Sequence, residues 1–179
     1  GLTDFTASGW KLIDNNAWND GSINVTNTRS YGSTGGSGSS MVVNDANMPD
    51  ITTAERKRVI WDGRDPNNIK YEISPATEMR VVGDGIQGVN AWDPPTSPQM
   101  TYSGNGVWTI TLTLIANKDI KFLAGNNWGA FDYEDNSGGS QGATPRPIKW
   151  EGGNNFKTPT TTGSYTITLN ENTQRVTIN

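Results

Sequence analysis

The chain has 179 residues, a net charge of −4 and 32% hydrophobic residues, against 21 glycines and seven tryptophans. It contains no His and no Cys, which excludes Ser-His-Asp triads, histidine bases, His- or Cys-ligated zinc, thiol catalysis and disulfides. The acidic balance lacks the basic footprint that nucleic acid requires, so no nucleic-acid partner is expected.

A lean core rich in Gly, Thr and Asn suits short strands joined by long polar loops. Seven tryptophans exceed what such a core needs, so some are expected at the surface. No run approaches the roughly 18 apolar residues of a membrane span, and no signal peptide is recognisable. The chain opens at Gly1-Leu2 and reads as a mature or trimmed fragment, with any targeting segment or lipid-bearing cysteine upstream.

In chain order, Asp4–Trp10 comes first, then Pro49–Ala54. Arg56–Trp61 and Ile69–Ile73 follow, flanking a short polar turn, and Ser74–Thr77 forms a joint. Met79–Gly83 is a short β-run that stops at Gly83-Asp84-Gly85. Gly106–Ile115 alternates strictly, with Trp108, Ile110, Leu112 and Leu114 on one face and Val107, Thr109, Thr111 and Thr113 on the other. This is the period of a strand with one face on a core. Asp119–Ala124 follows through Ala116-Asn117-Lys118-Asp119, which predicts a hairpin turn. Ser164–Leu169 and Gln174–Ile178 predict a terminal hairpin. No segment shows helical periodicity. The expected fold is all-β, an immunoglobulin-like β-sandwich.

The first half reads as a divergent, partial copy of the second. Asp4–Trp10 echoes Lys121–Trp128, Pro49–Ala54 echoes Thr158–Gly163, and Arg56–Ile73 echoes the terminal hairpin. Nothing in it corresponds to Met79–Leu114, and the Gly/Ser tract 32–40 stands where a longer loop would fall. The expected organisation is a partial module over residues 1–75 and a complete β-sandwich module over 79–179. Chance similarity among Thr-rich strands would give the same echoes.

Two long loops carry aromatics. Asp84–Gln99 holds Trp92, and Gly125–Pro147 holds Trp128, Phe131 and Tyr133. Long loops in compact domains are usually functional or disordered, and aromatics favour function. Sugars offer an apolar C–H face and an equator of hydroxyls, and they are held by flat aromatic platforms with amides or charges at the rim. Trp92, Trp128, Tyr133 and Trp150 lie among Asn126, Asn127, Asn154, Asn155, Lys121 and Gln141, which matches that chemistry.

Each residue also has a plainer reading. Trp108, Phe122 and Tyr165 share faces with aliphatic residues and belong to the core. Trp92 and Trp128 are either ligand contacts or packing beneath their loops. Tyr133 and Trp150 are open between the same two roles. Lys121 points away from Ile120 and Phe122, to solvent or to the rim of a site, and Phe131 reads as a loop anchor. Glycosidases need two carboxylates facing across the scissile bond. Asp93, Asp132, Glu134, Asp135 and Glu151 are available, but sequence proximity does not place them so, and catalysis is not expected. The run Asp132–Asn136 could hold calcium but lacks the spacing and Gly of an EF-hand loop. No cofactor or resident metal is expected.

The succession Met79–Asp84, Trp92, Gly106–Leu112, Ile120-Lys121-Phe122, Asn127-Trp128-Gly129, Gly152–Asn155 and Gly163–Ile167 resembles the SusE/SusF family. These are outer-membrane lipoproteins of Bacteroidetes built from tandem immunoglobulin-like starch-binding modules. The resemblance covers Met79–Asn179 and reaches Asp4–Ile73 only through the half repeat. It implies a lipid-anchored protein at the bacterial cell surface that holds polysaccharide or oligosaccharide near an importer. Other proteins of that import complex would be further partners, and membrane contact would come only through an upstream anchor. It also implies an aromatic arc of Trp92 and Trp128, with Lys121 and Asn154 as polar contacts. Ala91 stands where relatives often carry Gly, and the loop Gly125–Pro147 is long with extra aromatics, so the glycan need not be starch. In the first half, Trp10, Trp18 and Tyr31 stand without the early strands that would make an independent site. The competing expectation is a structural spacer or protein-interaction domain, distinguished by whether Trp92 and Trp128 are exposed together.

Overall fold

The computed structural model describes residues 1–5, 8–10, 12–13, 30–32, 42–43, 48–51, 54–62, 70–137, 145–150 and 152–179. Trp18, Gln141 and Glu151, most of the Gly/Ser tract and most of the polar turn before Ile69 lie outside the described residues. The chain divides into two compact units, Leu2–Pro75 and Ala76–Asn179, with Gly1 grouped with the second.

The first unit contains β1 (Leu2–Phe5), β2 (Ser8–Trp10), β3 (Leu12–Ile13), β4 (Ser30–Gly32), β5 (Val42–Val43), β6 (Met48–Ile51), β7 (Glu55–Asp62) and β8 (Lys70–Pro75). They form three small antiparallel sheets, β1-β7-β8, β2-β6 and β3-β4-β5. The hairpin expected between Arg56 and Ile73 is present as β7–β8.

The second unit adds β9 (Arg80–Gly83), β10 (Thr101–Gly104), β11 (Val107–Leu114), β12 (Asp119–Leu123), β13 (Asp132–Asp135), β14 (Arg146–Trp150), β15 (Phe156–Lys157), β16 (Gly163–Asn170) and β17 (Arg175–Ile178). Among its described residues the one short helix is a 3-10 turn at Pro94–Thr96. The unit is all-β. Its nine strands make one antiparallel sheet, curled as a half-barrel, in the order β10-β11-β16-β17-β14-β13-β12-β15, with β9 on the other edge of β12.

β14 joins the two halves of this sheet. Arg146 and Pro147 pair with β17, and Ile148 to Trp150 pair with β13. Proline has no N–H for a ladder, so it is tolerated where a strand changes partners. The two halves meet at a carboxylate. Glu171, in the turn after β16, is 1% exposed; it accepts the Trp108 indole N–H at 2.8 Å and the Tyr133 hydroxyl at 2.8 Å. In the core of the same unit Leu114, Ile167, Leu169, Ile120, Phe122 and Phe156 are fully buried. A second buried tie runs from Asp135 to Arg146, whose guanidinium also donates to the Lys157 carbonyl at 2.8 Å and lies over the Phe156 ring.

Two sequence expectations need correction. Ala116–Asp119 does not close a hairpin: β11 pairs with β10 and β16, while β12 pairs with β9, β13 and β15. Both edges of β11 are already occupied, so the turn carries the chain across to the other half. The stretch Gly125–Pro147 is not one loop either, because it contains β13 and the start of β14. The proposed repeat also differs in pairing. β1 pairs with β7, whereas its counterpart β12 does not pair with β16.

Trp108 is 2% exposed and holds both core volume and a hydrogen bond to Glu171. Trp108→Ala is expected to cost about 3–5 kcal/mol, read as a lowered midpoint in urea unfolding of the isolated second unit or the full chain.

Candidate functional site

Strand pleating sends alternate side chains to opposite faces. On β12, Ile120 and Phe122 face the core, so Lys121 and Leu123 face outward. The register places Val82 and Arg80 of β9 beside them and Asp132 opposite Leu123. Yet Val82 and Leu123 are 0% and 1% exposed. The outer face at this edge is therefore covered, and the loop that precedes β10 is laced to β9. Val81 N–H donates to the Pro98 carbonyl, Met100 N–H to that of Met79, and the Arg80 guanidinium to that of Ser97 at 2.7 Å.

The same loop positions Trp92. This residue has φ of 55°, a left-handed conformation that non-glycine residues adopt at a cost of about 1–3 kcal/mol unless their surroundings fix it. Asp93 supplies that support. Its carbonyl accepts the Ser97 hydroxyl at 2.8 Å and the Thr96 N–H at 3.2 Å, and its carboxylate accepts the Thr96 hydroxyl at 2.7 Å and the Asn90 amide at 3.3 Å. Loop entry is fixed by Asp84, which accepts the Asp119 N–H and pairs with Lys118. Burial works to raise the Asp84 pKa, but that N–H and the Lys118 ammonium outweigh it and leave it lowered.

Trp128 stands on a second, tight loop. Ala124 N–H donates to the Phe131 carbonyl and Ala130 N–H to that of Asn127. The Asn127 side chain accepts the Gly129 N–H at 2.9 Å, an Asx-type turn around the tryptophan. A Cβ on Gly125 would lie 2.6 Å from that of Ala130, so the loop closes only with glycine there. Trp128 is 54% exposed, the one large hydrophobic residue so exposed among the described residues. Its ring centroid is 6.5 Å from that of half-buried Trp92, with the planes tilted by 31°.

Beneath them, Lys121 Nζ donates to Asp132 Oδ2 and to Glu134 Oε1, the latter at 2.8 Å, and sits 5.9 Å from the centre of the Trp128 ring. Glu134 uses its other oxygen for the Gly153 N–H. Burial pulls the Lys121 pKa down, but the two carboxylates outweigh it and the net shift is upward.

Of the seven expected ligand residues, the structure brings Trp92, Trp128 and Lys121 together, with Asn127 in the loop that presents Trp128. Tyr133 is different: it is 2% exposed, in register with Phe122, and its hydroxyl is bonded to Glu171, so it is a core residue. Trp150 pairs with Tyr133 and hence lies on the sheet face opposite Lys121, where it stacks on Phe131 at 5.5 Å and 7°. Phe131 also meets Tyr133 edge-on at 5.0 Å, as a loop anchor would. Asn154 is exposed and bridges to Asp135 through its backbone. The acidic run read as a calcium candidate is engaged by cations, Asp132 with Lys121 and Asp135 with Arg146. Among the described residues no cluster of three or more His, Cys, Asp or Glu is placed to hold a metal.

In the sequence Asp93 was weighed as a possible catalytic carboxylate, and Asp132 and Glu134 as catalytic carboxylates or as part of a calcium-binding run. Their spacing held a clue. Asp132 and Glu134, two residues apart on a strand, share a face and can grip one cation between them.

Comparison with known proteins returned no matching family profile, no matching curated protein and no matching solved structure.

Because the folded pKa of Lys121 is raised, its contribution to stability is complete below the ordinary lysine pKa and is lost only as pH rises through the higher folded value. In an NMR titration, the Lys121 side-chain resonance is expected to move at a higher pH than that of an ordinary exposed lysine. Movement at or below the ordinary value would contradict the ion-pair geometry.

Proposed function

We infer that the second unit is a non-catalytic glycan-binding module. The observation that carries this reading is the exposed Trp128 set 6.5 Å from Trp92 at a 31° tilt. Two neighbouring aromatic faces suit two successive sugar rings, each presenting an apolar C–H face to an indole. Rings tilted to each other favour a curved chain, such as an α-glucan, over a flat ribbon. Asn126 and Asn127 flank Trp128 and are exposed, so they can serve the hydroxyl rim.

The resemblance to the SusE/SusF family supports the same reading and extends it. On that basis the fold is an immunoglobulin-like sandwich whose two halves share β14. The protein is a lipid-anchored component of a polysaccharide-utilisation system at the outer membrane, working beside the proteins of a glycan importer. A hydrolase is disfavoured because Asp132 and Glu134 grip a single ammonium from the same side rather than facing each other across a groove.

Native affinity electrophoresis through starch, pullulan, xylan, β-glucan and mannan tests the reading. Retardation by at least one of these glycans is expected. Trp128→Ala should weaken binding by about tenfold or more, equivalent to the ~1.4 kcal/mol of one good aromatic contact. Its unfolding midpoint should stay close to that of the parent, because Trp128 projects into solvent. Migration unaffected by every glycan would favour the spacer or protein-interaction role.

A further inference from the structure

In a glycan site an ammonium normally bonds sugar hydroxyls, and the family resemblance gives Lys121 that role. The geometry points elsewhere. The Lys121 side chain is only 14% exposed, and those of Asp132 and Glu134 are 18% and 13% exposed. Two of its three N–H donors go to these carboxylates, and the charge faces the Trp128 ring at 5.9 Å, within the range of a cation–π contact. Glu134 is in turn fixed by the Gly153 N–H. An unbroken run of contacts thus leads from the backbone at Gly153, through Glu134 and Lys121, to the indole.

Trp128 needs such a support. Its own loop fixes the backbone, through Asn127 and Gly125, but leaves a 54% exposed indole with few neighbours to choose its rotamer. An indole free to rotate would lose conformational entropy on meeting a ligand, and fixing it beforehand removes that cost. We propose that Lys121 is a positioning residue: held by Asp132 and Glu134, its ammonium fixes the Trp128 indole at its tilt to Trp92 and does not itself bond the ligand. This rests on the glycan reading only for the purpose that the fixed platform serves.

The test needs no ligand at first. Two indoles 6.5 Å apart at a fixed angle couple as an exciton pair in far-ultraviolet circular dichroism. Trp128→Phe of the full chain gives the spectrum without that pair. Lys121→Met, shown to be folded by cooperative urea unfolding, is expected to lose the couplet to the Trp128→Phe level, whereas Lys121→Arg retains it. The isosteric double variant Asp132→Asn/Glu134→Gln is expected to lose it as well, and it decides the matter if Lys121→Met does not fold. A folded Lys121→Met, or in its place a folded double variant, that keeps the parental couplet overturns the proposal. In affinity gels, Lys121→Arg should keep binding. Loss of binding with the couplet intact would make the ammonium a ligand contact and also overturn it. A couplet lost in Lys121→Met, in a parent that no glycan retards, would support the positioning role and remove the glycan reading.

Discussion

Strand β12 is covered on both faces, and the site follows from that fact. Ile120 and Phe122 fill the core on one side, while Leu123, with Val82 of β9, is buried on the other. Each such aliphatic side chain contributes roughly 1.5–3 kcal/mol when withdrawn from water. The loop that precedes β10 runs along the edge of β9, its backbone bonded at Met79 and Val81 on both sides of Arg80. A loop anchored to a buried strand can present a large aromatic residue to water at a defined angle. Lys121 adjoins both buried outward positions, opposite Val82 and two residues before Leu123, so its charge is drawn in as well, and Asp132 and Glu134 are there to meet it.

The opposite face of the sheet uses buried polar groups as seams. Glu171 joins Trp108 of β11 to Tyr133 of β13, and Asp135 joins Arg146 at the point where β14 changes partners. Isolated buried charges are costly, and such groups survive only when their hydrogen bonds are met in one geometry. Their value here is register. A slip of one residue in β13 would turn Tyr133 and Asp135 out of the core and bring Glu134 into it.

Strands with an unbroken apolar pattern were legible, and those without one were not. The alternation of Gly106–Ile115 and the terminal hairpin gave β11, β16 and β17 within a residue or two. β13 was hidden because its inward residues are Tyr133 and Asp135, and an inward aspartate breaks the apolar pattern unless its arginine partner is known. β10 was overlooked although Asn105-Gly106 announced it: both residues have positive φ, 51° and 78°, as a tight hairpin turn requires. Trp92 and Trp128 stood out in the sequence because tryptophans in polar loops are chemically unusual. Tyr133 and Trp150 were misplaced because pleating, not loop membership, decides which way they point. The ion pairs of Lys121 needed the third dimension, since its carboxylates lie on a strand the sequence did not reveal.

The order of strands also governs when the module can form during synthesis. β16 lies between β11 and β17, paired along its whole length with residues 49 to 63 positions earlier, and Glu171 follows directly after it. A nascent chain that has emerged only as far as Phe156 holds β11 without its main partner and Trp108 without its carboxylate. Pairings of such sequence separation form late, because the intervening chain must be closed into a loop first. The second unit therefore completes its pairing and its buried carboxylate only when nearly all of it has been made.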